Sequence, residues 1–141
     1  MTRLTPEILR EQRINGFLQL AGEEAKAAKN LLADDLSRQA VYFVQQSAEK
    51  LLRAVLEREG IPAGPTHSIA KLVELLSVTH SLRSKFLEFD DLSVASTRYR
   101  YPSQTGFLAS PDLTELPERI SALDKLALLA IAFVKPTTIP R

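Results

Sequence analysis

Apolar residues recur at steps of three and four along two long stretches of the chain, which is the period of one helical face. The first stretch follows Pro6, which suits the first turn of a helix because its missing N–H costs nothing there. Its apolar face consists of Ile14, Phe17, Leu18, Ala21, Ala25, Ala28 and Leu32. The apolar face of the second stretch consists of Leu36, Ala40, Phe43, Val44, Ser47, Leu51, Val55 and Leu56. The pattern therefore predicts two long helices, the second ending at Gly60, where glycine adopts a left-handed conformation and Pro62 follows.

The junction between these helices is short, which predicts that they are antiparallel neighbours. Asp34 is predicted to be the N-cap of the second helix, one or two residues after the first ends. The Ala-rich stretch 21–28 would let the neighbouring backbone approach closely. Glu49 and Arg53, four apart on the second helix, are expected to contribute only a few tenths of a kcal/mol.

Three shorter elements are predicted in the second half of the chain. Helices are expected at about 68–78 and 82–95, and a last helix begins near Thr114 or Pro117 and ends before Pro136. No stretch shows the alternation of a strand. The sequence predicts an all-α protein, a four- to five-helix bundle with two long antiparallel helices plus shorter ones. We expect a single domain over 1–141, with 1–5 and 136–141 as flexible ends.

Composition narrows the possible functions. With 141 residues the chain fits one core, and its net charge of +1 argues against binding nucleic acid through bulk charge. The absence of cysteine excludes disulfides, thiolate catalysis and cysteine-type zinc sites, and two histidines are too few for a histidine-rich metal site. We therefore expect no metal and no cofactor. Because no signal peptide and no apolar run of about 20 residues is present, we expect a cytoplasmic protein without membrane association.

The segment S-T-R-Y-R-Y-P-S-Q-T-G-F, residues 96–107, interrupts the helical pattern with two arginines and two tyrosines. Arg98 and Arg100 could bind phosphate through their guanidinium groups, while Tyr99 or Tyr101 could stack on a base or donate a hydrogen bond. In an extended segment the two arginines would point to opposite sides, whereas in a turn they could converge. The alternative is structural: Arg98 pairs with Asp90 or Asp91, and a tyrosine packs on the bundle.

Two histidines and two acidic pairs are the remaining candidates. His67 precedes the third helix, where it could cap that helix or contact a ligand. His80, in the turn T-H-S-L, is expected to be exposed and inert. The pairs Asp34-Asp35 and Asp90-Asp91 lie at helix edges, where capping is a more common role than metal binding.

Three segments carry a resemblance to a known family. They are the helix A-V-Y-F-V-Q-Q-S-A-E-K-L-L-R-A-V-L, the stretch G-I-P…T-H-S-I-A-K-L-V-E-L-L and the loop S-T-R-Y-R-Y-P. Together they resemble HEPN domains over about Ala25 to Val134. The resemblance implies a small α-helical bundle that is often homodimeric. It also implies a possible partnership with a minimal nucleotidyltransferase encoded nearby, as in a toxin–antitoxin-like system.

Ribonuclease members of that family carry an arginine followed, after four to six residues, by a histidine. The corresponding positions here are Ser103, Gln104 and Thr105 counted from Arg98, and Thr105, Gly106 and Phe107 counted from Arg100. Arginine cannot exchange a proton near neutral pH, so the chemistry lacks a general base. The leading hypothesis is therefore a non-catalytic domain that binds a nucleotide, RNA or another phosphate ligand through Arg98, Arg100, Tyr99, Tyr101 and His67. The alternatives are a degenerate metal-independent ribonuclease using His67 with an arginine, and a structural dimerisation or interaction module.

Overall fold

The computed structural model describes residues 3–112 and 114–137, and over these ranges it is helical, without a strand. The α-helices are α1 (Pro6–Ala33), α2 (Ser37–Glu59), α3 (Ile69–Val73), α4 (Arg83–Leu87) and α5 (Leu116–Val134), with a 3₁₀ helix at Asp90–Ser96. The predicted all-α class is confirmed. Of the ends predicted to be flexible, residues 1–2 and 138–141 lie outside the described residues.

The two long helices are antiparallel, as predicted, because residues early in α1 contact residues late in α2. Arg58 donates a hydrogen bond to Glu11, and farther along Lys50 lies 2.9 Å from a carboxylate oxygen of Glu24. The alanine-rich part of α1 permits close contact, since the Ser47 hydroxyl donates to the Ala21 carbonyl over 2.8 Å. The shared core contains Ile14, Leu18, Ala21, Ala28, Ala40, Val44, Ala48, Leu51, Leu52 and Val55, all buried.

The connection between α1 and α2 differs from the prediction at one point. Asp34 is the C-cap of α1, not the N-cap of α2, because its backbone N–H bonds to carbonyls of the last turn of α1. Helix α2 begins after Leu36 without a side-chain cap, and Leu36 is exposed rather than part of the core. At the other end of α2, Gly60 has φ +72° and ends the helix as predicted.

Helix α5 completes the main layer by packing on both long helices. The Arg58 guanidinium donates to the Val134 carbonyl over 2.7 Å, and Lys29 pairs with Asp124 over 2.9 Å. The first contact places the end of α5 beside the end of α2, and the second joins α5 to α1. Although α5 is rich in apolar residues, no helix in the described ranges is both long enough and apolar enough to cross a membrane.

The short helices are shorter than the sequence predicted. The element expected at 68–78 is helical only at Ile69–Val73, and the one expected at 82–95 divides into α4 and the 3₁₀ helix. Asp90 provides a physical reason for the division. Its carboxylate accepts a hydrogen bond from the Ala70 backbone N–H over 2.8 Å, which ties the start of the 3₁₀ helix to the first turn of α3.

The prediction that His80 is exposed is wrong. Its side chain is only 7% exposed, and its ring lies 4.8 Å from the Phe133 ring, centroid to centroid. The Leu82 backbone N–H donates to Nδ1, while Nε2 lies 3.1 Å from a carboxylate oxygen of Glu59. Because Nδ1 accepts a hydrogen bond, the proton of the neutral ring is on Nε2 and is donated to Glu59. His80 therefore joins the end of α2 to α5.

The Glu11–Arg58 pair predicts an acid-sensitive contribution to stability. The hydrogen bond from Arg58 holds the pKa of Glu11 below its ordinary value of 4.5. A carboxylate whose pKa is lowered by folding stabilises the fold above about pH 4.5 and loses this contribution as the pH falls through the lowered pKa. We expect Glu11→Gln to lower the unfolding free energy at pH 7 by less than about 1 kcal/mol.

Urea unfolding of both proteins between pH 3 and pH 7 measures this contribution. The difference between wild type and Glu11→Gln is expected to shrink at the acid end. A difference that stays constant over this range would show that the charge of Glu11 does not contribute.

Candidate functional site

Residues 96–110 form a folded loop between the 3₁₀ helix and α5. Two backbone hydrogen bonds, from Arg98 N–H to Val94 and from Arg100 N–H to Thr97, make a tight turn of its first part. A second turn is closed by hydrogen bonds between Ser103 and Phe107. The end of the loop is held by Arg38 of α2, whose Nε donates to the Ala109 carbonyl over 2.7 Å. The loop is therefore fixed against the first turn of α2.

Arg100 lies over a tyrosine of α2. Its guanidinium carbon is 4.6 Å from the centroid of the Tyr42 ring, and its Nη1 lies 3.4 Å from the Tyr42 hydroxyl. A surface depression of about 310 Å³ opens beside this contact, and we call it the Tyr42 depression. It is lined by Arg38, Gln39, Tyr42, Phe43, Tyr99 and Arg100. Two cations and two phenol rings therefore border one recess.

Arg98 lines a different recess. This recess, which we call the Phe107 depression, has a volume of about 410 Å³. It is lined by Thr97, Arg98, Tyr101, Pro102, Ser103, Phe107 and Ala109. The turn therefore does not bring the two arginines together in one clamp. Each guanidinium group instead borders a separate depression with aromatic walls.

The acidic residues nearest in sequence to the arginines have other partners. Asp90 caps α3, and Asp91 pairs with Arg119 of α5. Within residues 3–112 and 114–137, neither Arg98 nor Arg100 forms a salt bridge. The structural alternative, in which Arg98 pairs with Asp90 or Asp91, is therefore not what the structure shows. Both guanidinium groups keep donor capacity for an anion.

The two tyrosines of the loop have different environments. Tyr99 is half-buried, packs against the core and forms part of the wall of the Tyr42 depression. Tyr101 is 62% exposed and lines the Phe107 depression, and the Arg100 guanidinium lies 5.8 Å from its ring centroid. Tyr99 thus packs against the core and also lines the site, whereas the Tyr101 ring is exposed and can contact a ligand.

His67 is held by a buried polar cluster on α2. Its Nδ1 lies 3.1 Å from a carboxylate oxygen of Glu49, whose side chain is only 6% exposed. Gln45 donates to the His67 carbonyl, and Arg53 donates to the carbonyls of Gly64 and Thr66 and to Glu49. Three residues at a spacing of four along α2 therefore fasten the loop before α3. The cap of α3 is not His67 but Ser68, whose hydroxyl accepts from the Lys71 N–H.

The structure does not bring His67 into contact with either arginine. Arg100 contacts Tyr42, whereas His67 contacts Glu49, seven residues later on α2, which corresponds to about 10 Å along the helix axis. The two contacts are on the same side of α2, because seven residues are close to two full turns. The imidazole is 64% exposed, but it lines neither of the two depressions beside the arginines.

Arg38, Tyr42 and Phe107 are among the residues that line the depressions but were missed by sequence reasoning. Arg38 and Tyr42 are on α2, where only the apolar face was considered, and Phe107 is in a loop without periodicity. A signal for the first two was present, since an arginine and a tyrosine four residues apart lie on one helical face. Nothing in the sequence indicated that this face would meet the 96–110 loop.

The geometry can now be compared with known proteins. The family model of the HEPN domain matches residues 14–126, which include most of α1, all of α2, the His67 cluster and the whole 96–110 loop. The chain belongs to the HEPN domain family. A solved structure similar to this HEPN domain is that of an archaeal HEPN homologue, with a TM-score of 0.63 and 18% sequence identity. The alignment covers 86% of this chain and 97% of that one, so the two share the fold. No protein of curated function matches this chain significantly.

Proposed function

We propose that this HEPN domain binds the phosphate of a nucleotide or of RNA through the 96–110 loop and does not cleave it. The main support for this proposal is the environment of the Arg100 guanidinium group. Its guanidinium group stacks on Tyr42, has no carboxylate partner among the described residues and faces a depression of about 310 Å³.

Stacking on an aromatic ring orients an arginine and leaves most of its donors unused. The ring attracts the face of the guanidinium group, and although Nη1 of Arg100 donates to the Tyr42 hydroxyl over 3.4 Å, the remaining N–H groups stay free to bind phosphate. Arg38 borders the same depression and already uses Nε to hold Ala109, which leaves it fixed in place. In a protein with a net charge of +1, such local clustering is the source of anion affinity.

Absence of cleavage follows from the chemistry of the two depressions. Attack by a ribose hydroxyl requires a group that exchanges a proton near neutral pH, and arginine is not such a group. The residues that line the two depressions include no histidine. Only a ligand that extends along α2 from the Tyr42 depression would contact His67.

The degenerate ribonuclease has its own test. Wild type and His67→Ala are incubated with a structured RNA in EDTA. We expect the RNA to remain intact with both proteins. Cleavage by wild type that disappears in His67→Ala would favour the ribonuclease and contradict the non-catalytic proposal.

Equilibrium titration tests the binding proposal. Adenosine 5′-monophosphate and a short single-stranded RNA are titrated against wild type, the double variant Arg98→Ala/Arg100→Ala and the control Arg13→Ala. Arg13 is an exposed arginine that pairs with Glu57, away from the loop. We expect wild type and Arg13→Ala to bind with a dissociation constant well below about 1 mM, and the double variant to lose binding. Equal or absent binding in all three would contradict the proposal.

We further propose that the domain is a homodimer and that it acts with a minimal nucleotidyltransferase in a two-component system, as the resemblance to HEPN domains implies. Light scattering tests the first part, and a stable monomer would contradict it. The second part predicts a small nucleotidyltransferase gene beside this one and a stable complex when the two are co-expressed. The alternative of a purely structural interaction module predicts oligomerisation or complex formation without nucleotide binding.

A further inference from the structure

We infer that the Tyr42 and Phe107 depressions are two adjacent subsites that hold consecutive nucleotides of a single strand, with the linking phosphate on Arg100. This inference rests on the proposed function and adds to it a second subsite and a minimum ligand length. It assigns a binding role to Phe107, which nothing in the sequence had indicated.

Arg100 connects the two depressions. Its guanidinium carbon lies 4.6 Å from the ring centroid of Tyr42, in one depression, and 5.8 Å from that of Tyr101, in the other. A phosphate on this guanidinium would therefore have an aromatic ring available on each side. In a single strand the phosphate likewise lies between two bases, so the order of ring, cation and ring matches a dinucleotide step.

The Phe107 depression has the composition of a stacking platform. Phe107 is 70% exposed and Tyr101 is 62% exposed, although both are large apolar rings. The backbone that carries Phe107 is fixed, since its N–H donates to the Ser103 hydroxyl and its carbonyl accepts from the Ser103 N–H. Arg98 borders the same recess and supplies a second cation. Rings held in this way beside cations bind bases of any sequence by stacking.

The Tyr42 depression is the more polar of the two subsites. Arg38 and Gln39 stand on its α2 side, and Tyr99 and Arg100 stand on its loop side. A glutamine side chain donates and accepts hydrogen bonds, so it can distinguish bases by the groups at their edges. A ring that only stacks on a base cannot make this distinction. We therefore place sequence preference in this subsite and sequence-tolerant stacking in the Phe107 depression.

Unpaired bases are required by this arrangement. Stacking on Tyr101 or Phe107 needs an exposed base face, which a duplex offers only at its ends. The inference therefore excludes a duplex as the preferred ligand. It also predicts that a mononucleotide fills one subsite alone.

Competition titrations with an adenylate series test the inference. The probes are adenosine 5′-monophosphate, the 5′-phosphorylated dinucleotide and the 5′-phosphorylated tetranucleotide. They are measured on wild type, Phe107→Ala and the control Leu108→Ala, which removes a neighbouring exposed apolar side chain that lines neither depression. In wild type we expect the dinucleotide to bind about tenfold more tightly than the monophosphate. Phe107→Ala should abolish this gain without changing the affinity for the monophosphate, and Leu108→Ala should behave as wild type.

The other possible outcomes distinguish between failure of the second subsite, of the role of Phe107 and of the proposed function. Equal affinity of wild type for the monophosphate and the dinucleotide would overturn the second subsite and leave the proposed function standing. A gain that survives Phe107→Ala, or that Leu108→Ala also abolishes, would overturn the assignment of Phe107. If wild type binds none of the three probes, the proposed function fails, and this inference fails with it. Circular dichroism of Phe107→Ala checks that the helical fold is retained.

Discussion

Replacing Arg53 with alanine is expected to lower the free energy of unfolding by about 3 kcal/mol, because it leaves a buried carboxylate without its ion-pair partner. Arg53 is the partner of Glu49, and the two side chains are only 15% and 6% exposed. The substitution leaves a carboxylate buried with His67 and Gln45 as its remaining partners. It also removes two hydrogen bonds to the carbonyls of Gly64 and Thr66, so only the contacts of Gln45 and Glu49 with His67 still attach the loop before α3 to α2.

Urea unfolding of Arg53→Ala, Arg13→Ala and wild type measures this effect. Arg13 also pairs with a glutamate, but its side chain is 52% exposed, so its loss should be far smaller. The double variant Arg53→Ala/Glu49→Ala should lose less than the sum of the two single variants, because it leaves no unpaired buried charge. Equal losses for Arg53→Ala and Arg13→Ala would contradict the account of the buried cluster.

Replacing Arg100 with alanine is expected to weaken nucleotide binding about 30-fold, which corresponds to about 2 kcal/mol and to the loss of charge-assisted hydrogen bonds. Arg98→Ala is expected to cost less for a mononucleotide, because Arg98 does not line the Tyr42 depression and its guanidinium carbon lies 6.0 Å from the centroid of the Tyr99 ring there. Arg100 instead contacts the rings of Tyr42 and Tyr101 and so serves both recesses. The ranking of the two arginines is therefore a prediction of the geometry and not of their charge.

Titration of adenosine 5′-monophosphate against the two single variants measures this ranking. Arg100→Lys is the matched control, since it keeps the charge but loses the planar group that stacks on Tyr42. Its affinity should lie between those of Arg100→Ala and wild type. Equal losses for Arg98→Ala and Arg100→Ala would indicate that only bulk charge matters.

The long helices could be predicted because burial imposes the helical period on their sequences. All the predicted apolar positions of α1 are buried or half-buried in the structure, and in α2 only Leu36 is exposed. The limits of the short helices could not be predicted, because they depend on a contact between distant residues. Asp90 caps α3 across 20 residues, and local sequence offers no sign of such a partner.

The candidate site was predicted only in part, for a similar reason. The 96–107 segment drew attention because arginine and tyrosine alternate within it. Its partners Arg38 and Tyr42 lie about 60 residues earlier, and only the fold shows that they border the same recess. The contribution of the Glu49–Arg53 pair to stability was also predicted to be too small. Its spacing is typical of an exposed ion pair, whereas in the structure both side chains are largely buried.

The central claim, that the loop and the start of α2 bind a nucleotide, has a direct spectroscopic test. The three tyrosines of this chain are Tyr42, Tyr99 and Tyr101, and each of them lines one of the two depressions. Labelling with 3-fluorotyrosine therefore gives three ¹⁹F resonances, all from the site, which can be followed while adenosine 5′-monophosphate is added. The account predicts saturable shifts of the Tyr42 and Tyr99 resonances in wild type, and in Arg100→Ala the same shifts only at about 30-fold higher nucleotide concentration. Three resonances that stay fixed in wild type up to millimolar nucleotide would contradict it.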